Sequence, residues 1–257
     1  MVQIKKYKKK SIDTHEYFYI YGKHVVHKAI DNSKVLPKKI WLHPKFSDER
    51  LLAKIRRSGC DILTLEDKYV PNGVPSDVNH QGVIALISYK SVLTPYNSYI
   101  NNTEITNKTC FIVLSEIQDP QNVGAIIRSS AAFGVQAVLI SKHKQAPING
   151  TVAKVSSGMV FVLPVIEIGN INNTLIDLKD RNFTVYGLEH ESKTTLYEAG
   201  LDGPCVFVVG NESNGLRIKT RDICDELLSI PIHPRCESLN ASTAVVSSLT
   251  FWRYKNQ

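Results

Sequence analysis

The sequence predicts an α/β protein built in two parts, a small α/β unit followed by a mainly parallel sheet with helices on both faces. Three observations predict it. From residue 108 onward, short and continuously apolar runs such as "CFIVL", "QAVLI" and "CVFVVG" alternate with helical segments, the pattern of parallel strands buried on both sides. A shorter series of strand and helix patterns precedes them and ends near Lys90. Between the two lies "TPYNSYINNTEITNK", polar, Asn-rich and without a convincing period, which reads as a linker. These features divide the 257 residues into a basic tail (1–16), a first unit (17–90), a linker (91–107) and a second unit (108–257). A hydrophobic content of 43% supplies enough material for packed cores in both units.

In the first unit, "YFYIYGKHVVHKAIDNSK" has helical spacing in Val25, Val26, Ala29 and Ile30, and the strand-like "KKIWL" follows. "DERLLAKIRRSG" is an amphipathic helix that Asp48 caps and Gly59 stops. "DILTL" and, after a Pro/Gly/Asn-rich loop, "GVIALI" complete the strands. In the second unit the order is strand "CFIVL", helix "NVGAIIRSSAAFG", strand "QAVLI", helix "GTVAKVSSG" and strand "FVLPVIEI". Helix "NNTLIDLKDR", strands "FTVYGL" and "CVFVVG", helical "RDICDE", strand "LLSIPI" and a last helix from about Asn240 to Tyr254 complete it.

The formal charge of +7 is unevenly placed. Residues 1–90 hold 17 Lys and Arg against 9 Asp and Glu, whereas residues 91–257 hold 14 against 15. Without residues 1–10 the first part still carries +3. A positive field on the scale of a domain favours a polyanion such as RNA, through phosphate neutralisation and counterion release. The five cysteines, Cys60, Cys110, Cys205, Cys224 and Cys236, are odd in number, scattered and without a C-x-x-C pair, so neither a disulfide framework nor a zinc site is expected. With no run of eighteen apolar residues and no signal-peptide h-region in "MVQIKKYKKKSIDTHEY", a soluble, cytoplasmic protein without a membrane partner is expected.

In open α/β sheets, ligands bind beyond the carboxyl ends of the strands. Three exits are rich in polar groups: "CFIVL" runs into "SEIQDPQNVGAIIRSS", "VFVVG" into "NESNGLR", and "LLSIPI" into "HPRCESLNAS". No G-x-G-x-x-G and no G-x-x-x-x-G-K-[ST] follows any of them, which disfavours a dehydrogenase or a nucleoside-triphosphate pocket. The cluster Arg235, Glu237, Ser238 and Asn240 before the last helix is larger than one helix cap requires.

These residues resemble a known family. "SEIQDPQNVGAIIRSSAAFG", "VVGNESNGL" and "IPIHPRCESLNASTAVVSSL" are similar, in the right order, to the three motifs of the SpoU-type RNA 2′-O-ribose methyltransferases of the SPOUT superfamily. The likeness covers residues 108–254, and "FYIYGKHVVHKAI" with the lobe that follows resembles the substrate-binding domain of the ribosomal-RNA branch. The resemblance implies a deep trefoil knot near the C-terminus, one of the rare exceptions to unknotted topology. It also implies S-adenosyl-L-methionine as cofactor, a homodimer, and a guanosine ribose of 23S ribosomal RNA as substrate. A transfer-RNA enzyme of the same family and a non-catalytic RNA-binding assembly factor are the alternatives.

The resemblance assigns roles position by position. Arg128 clamps a substrate phosphate and aids removal of the hydroxyl proton. Direct base catalysis is chemically uncomfortable for a guanidinium with a pKa above about 12, so electrostatic acidification of the hydroxyl is the favoured form of that role. Asn122 and Glu212 support catalysis, and Ser238 and Asn240 stand near the methyl-transfer centre. Gly210, Asn211, Ile230 and Leu239 hold the cofactor, with Gly210 allowing close backbone approach. Asn122 also suits a helix cap, and it lies about 9 Å of helix rise from Arg128, so the two converge only if Asn122 stands at the helix mouth. Ser238 and Asn240 share a side if their segment is extended, with Leu239 opposite.

Overall fold

The computed structural model describes residues 15–66, 70–211 and 213–257. Most of the expected basic tail, and Glu212, lie outside the described residues. The chain divides into two compact units, residues 1–93 with 148–162, and residues 94–147 with 163–257.

In the first unit the order is β1 (Tyr17–Tyr21), α1 (Lys23–Asp31), β2 (Lys39–Leu42), α2 (Glu49–Arg57), β3 (Asp61–Thr64) and β4 (Val83–Ser88). Tyr17–Tyr21, which the helical spacing of the segment did not mark, is a strand: "YFYIY" is wholly β-favouring, and helix begins only after Gly22. The sheet has the order β1-β4-β2-β3, with β1 and β2 antiparallel to β4 and β2 parallel to β3. Tyr19, Tyr21, Trp41, Leu63, Ile84 and Leu86 form the core of one face. Asp48 caps α2 as expected, accepting from Leu51 N at 3.0 Å, and Leu51 and Ile55 are buried on its apolar stripe.

The second unit contains β5 (Leu93–Pro95), α3 (Tyr96–Ile100), β6 (Cys110–Leu114), α4 (Pro120–Phe133) and β7 (Ala137–Ser141). Next in the chain comes α5 (Gly150–Val155), within the segment that clusters with the first unit. There follow β8 (Val165–Ile168), α6 (Ile171–Asp180), β9 (Thr184–Leu188), β10 (Thr194–Thr195), β11 (Cys205–Val209), α7 (Ile218–Arg221), β12 (Glu226–Ser229) and α8 (Ala241–Lys255). The eight strands lie in the order β10-β12-β9-β11-β6-β7-β8-β5, and the six pairings from β10 through β8 are parallel. The central strands β6 and β11 are buried at every residue, as a sheet covered on both faces requires.

Two expectations about elements are corrected. The stretch read as a linker holds β5 and α3: Tyr96 Oη donates to Asp177 Oδ2 at 2.6 Å, Tyr99 Oη donates to the Gln136 carbonyl at 2.9 Å, and Ile100 is buried. One helical turn is too short to display a period, so its apolar face is hidden in a polar composition. The helix expected over "RDICDE" falls earlier, at Ile218–Arg221, because Asp225 accepts the Val185 backbone N–H at 2.8 Å and belongs to the approach to β12.

Candidate functional site

Strands β9, β11 and β12 run parallel, so their carboxyl ends open on one side of the sheet. There the exits Leu188–Glu191, Val209–Gly215 and Leu228–Ile232 meet Ser238, Leu239, Ala241 and Ala244 around a cavity of about 350 Å³. That volume falls within the roughly 300–1,000 Å³ of small-molecule sites. Of the eight marked positions that are described, five line it: Gly210, Asn211, Ile230, Ser238 and Leu239.

Local chemistry explains how each is placed. After β11 the chain folds back on itself, Asn211 N donating to Gly215 O at 3.1 Å and Gly215 N to Asn211 O at 2.9 Å. A Cβ on Gly210 would stand 2.3 Å from the Gly215 carbonyl carbon and 2.6 Å from Leu216 N. The close approach that demands glycine is therefore made by the protein's own loop. The Asn211 side chain is likewise engaged within the loops. Its Oδ1 accepts from Ser213 N and Asn214 N at 3.0 and 3.2 Å, and its Nδ2 donates to the Glu116 carbonyl at 2.9 Å. It ties the β11 exit to the β6 exit, where Glu116 also pairs with Arg217 at 2.6 Å.

Asn122 and Asn240 stand outside the cavity lining and bond to each other, Asn240 Nδ2 donating to Asn122 Oδ1 at 2.9 Å. Asn122 is not the cap of α4. That is Asp119, which accepts from Gln121 N at 2.8 Å with Pro120 at the first helical position. Asn240 is the cap of α8, accepting from Ser242 N at 2.8 Å. Ser238 and Asn240 consequently do not share a target. Ser238 faces the cavity, while Asn240 turns to cap the helix. Arg128 is exposed on α4 whereas Asn122 is 8% exposed. Six residues rotate a helix by about 240°, which separates their faces.

The β9 exit carries no position marked in the sequence, yet it borders the site. Leu188, Glu189, His190 and Glu191 form one wall of the cavity, and the signal was present: "FTVYGL" is an apolar strand running into the polar "EHES". Glu189 carries the most informative atom. Its Oε2 is buried without a hydrogen-bond partner among the described residues, and the Arg221 guanidinium Nε lies 3.6 Å away, at ion-pair distance. The charge of this carboxylate is met within the protein, by the Arg221 guanidinium. Leu188, Leu228, Ile230, Ile232 and Leu239 supply the apolar surface of the same cavity. Among the described residues no group of three or more His, Cys, Asp or Glu is arranged to hold a metal ion.

The family model described as "SpoU rRNA Methylase family" matches residues 109–249, and that described as "RNA 2'-O ribose methyltransferase substrate binding" matches residues 19–92. The 23S rRNA (guanosine-2'-O-)-methyltransferase RlmB of Xylella fastidiosa (strain 9a5c) is 36% identical over 229 residues, 88% of this chain and 92% of that protein. The chain belongs to the SpoU rRNA methylase family. Two solved methyltransferase structures share its fold. The AviRb methyltransferase of Streptomyces viridochromogenes, in complex with AdoMet, has a TM-score of 0.78 at 17% identity over 94% of this chain and 91% of that one. An AdoMet-bound rRNA methyltransferase from Sinorhizobium meliloti has a TM-score of 0.79 at 21% identity over 93% and 88%. The SpoU methylase match spans β6 through most of α8, and so contains the cavity and the Asn122–Asn240 pair.

Proposed function

We propose that this protein is an S-adenosyl-L-methionine-dependent RNA 2′-O-methyltransferase that modifies a guanosine ribose of 23S ribosomal RNA. The observation that carries the reading is the cavity at the carboxyl ends of β9, β11 and β12, which gathers Gly210, Asn211, Ile230, Ser238 and Leu239 from distant parts of the chain. S-adenosyl-L-methionine supplies, when bound, a methyl group on a cationic sulfonium. Ile230 and Leu239 would give the adenine an apolar bed. The looped backbone 210–215 fixes the rim against which the cofactor lies.

In this reading Arg128, exposed on α4, grips the phosphate beside the target ribose and lowers the pKa of the 2′-hydroxyl by its fixed charge. Ser238 stands at the methyl-transfer centre, Glu212 supports the active-site loops, and the Asn122–Asn240 bond holds the starts of α4 and α8 in register. Positioning of donor and acceptor then supplies much of the rate. The lobe 17–90 is assigned to RNA binding, in keeping with its excess of basic residues. A homodimer and a cytoplasmic location complete the proposal, together with a knotted C-terminal segment. Among the described residues no helix is long and apolar enough to cross a membrane.

Purified protein given tritiated S-adenosyl-L-methionine is expected to label unmodified 23S rRNA at a single ribose. Arg128→Ala should remain folded and cofactor-competent yet lose at least about 100-fold in labelling rate, within the range for removal of a stabilising donor. Equal labelling by wild type and variant would remove Arg128 from the mechanism, and no labelling by wild type would remove the activity.

A further inference from the structure

We propose that the first unit holds its RNA at a backbone-phosphate site lined by Lys23, His43, Lys45 and His80. The inference rests on the methyltransferase reading above and adds the place where the lobe grips its substrate. Because β1 and β2 are both antiparallel to β4, and β3 is parallel to β2, the strands β1, β2 and β3 run in one direction. Their carboxyl ends release Lys23, the segment His43–Ser47 and Glu66, which meet the turn His80–Gly82 that enters β4 around a cavity of about 330 Å³. This is the end of an α/β sheet where ligands bind.

The lining is built for an anion. Among the described residues, two lysines and two histidines line the cavity with one carboxylate, Glu66. The Lys23 ammonium sits 5.2 Å from the centroid of the Phe46 ring, an attraction that holds it at the cavity without neutralising it. His43 Nδ1 accepts from Lys45 N at 3.2 Å and His80 Nδ1 accepts from Gly82 N at 3.0 Å. Each neutral ring therefore carries its proton on Nε2, where it donates. Burial holds the His80 imidazole below its ordinary pKa, so the neutral ring, with its Nε2–H as donor, is the form that would meet a phosphate.

The turn that positions these groups is conformationally costly. Gln81 has φ 52° and Gly82 φ +80°, and a Cβ on Gly82 would stand 3.2 Å from Phe46 Cδ2 and 3.3 Å from His43 Cβ. Side chains adopt left-handed backbone reluctantly, and such residues concentrate at binding sites. The Gln81 Oε1 accepts Lys23 N at 3.0 Å and Gly82 O accepts His43 N at 2.9 Å, so the turn ties both cationic exits together. The surplus of 17 basic over 9 acidic residues in positions 1–90 argues for a polyanion over a small free anion.

The test uses the full chain and a fluorescent transcript of 23S rRNA, titrated between about 50 and 300 mM salt. Lys23→Ala/Lys45→Ala is expected to bind RNA at least fivefold more weakly and to reduce the slope of log K against log salt by about 0.7–0.9 for each phosphate that is no longer neutralised. The KM for RNA should rise with kcat at saturating RNA retained, and S-adenosyl-L-methionine affinity and Tm should be unchanged. Lys23→Arg/Lys45→Arg, which keeps both charges, should restore the slope, and Lys45→Glu should weaken binding beyond Lys45→Ala alone. A folded double-alanine variant with wild-type slope and KM overturns the site while leaving the methyltransferase reading standing. A wild-type protein that labels no RNA overturns that reading itself.

Discussion

Asn240 serves two structures with one amide. Its Oδ1 accepts from the N–H and the hydroxyl of Ser242 at 2.8 and 2.6 Å, closing the first turn of α8, while its Nδ2 reaches Asn122 in the first turn of α4. Capping contributes about 1 kcal/mol and a hydrogen bond between partly buried amides about another 1. Asn240→Ala is therefore expected to lose about 2 kcal/mol, read as the shift in midpoint of a urea titration. Asn240→Ser retains a capping oxygen but is too short to reach Asn122, and should lose only about half as much. No loss in Asn240→Ser would show that the link between the helices contributes nothing.

At the scale of elements, α3 shows how one turn is anchored by two phenols. Tyr96 donates to Asp177, and Arg181 Nε donates to the same carboxylate at 2.8 Å. Burial works to raise the Asp177 pKa, but the hydrogen bonds from Arg181 and Tyr96 outweigh it and hold the carboxyl below its ordinary value. A pKa depressed by folding contributes stability that is present above the unfolded value of about 3.9 and is lost as pH falls through the folded value. Tyr96→Phe should thus cost about 1 kcal/mol at pH 7, a figure kept low because the Asp177 side chain is 41% exposed. The difference from wild type should shrink below pH 4. Urea unfolding of both proteins at pH 7 and pH 3 measures it, and a penalty independent of pH would assign the effect to packing.

At the scale of the molecule, the proposed homodimer has a candidate surface in the second unit. Tyr254 and Tyr197 are 70% and 61% exposed, and Tyr197 meets Phe251 edge to face at 5.4 Å. Exposed aromatics grouped on one side are a common mark of an interface. Light scattering on the purified chain should report twice its 28.8 kDa, and Tyr254→Asp should shift the mass toward the monomer.

Much of this was readable from residue order because burial leaves a local signature. The runs "CFIVL" and "CVFVVG" predicted strands buried on both faces, the rule that ligands bind beyond strand exits marked the loops, and the motif resemblance singled out within them Gly210, Ile230, Ser238 and Leu239, which line one cavity. The motif resemblance supplied the family. What remained hidden is non-local. A sequence pattern records that a residue is buried but not what buries it, so it could not show that residues 148–162 cluster with the first unit or that Tyr96 and Tyr99 dock the stretch read as a linker. Nor could it tell that Asn211 is spent on bracing loops, that Asn240 turns to Asn122, or that Glu189 contributes a buried acceptor from the β9 exit. Residue order determined which strands and helices form and which exits carry polar groups. Which of those exits share a cavity was decided only by strand order, because pairing joins segments up to about a hundred residues apart, as β6 and β11 are joined.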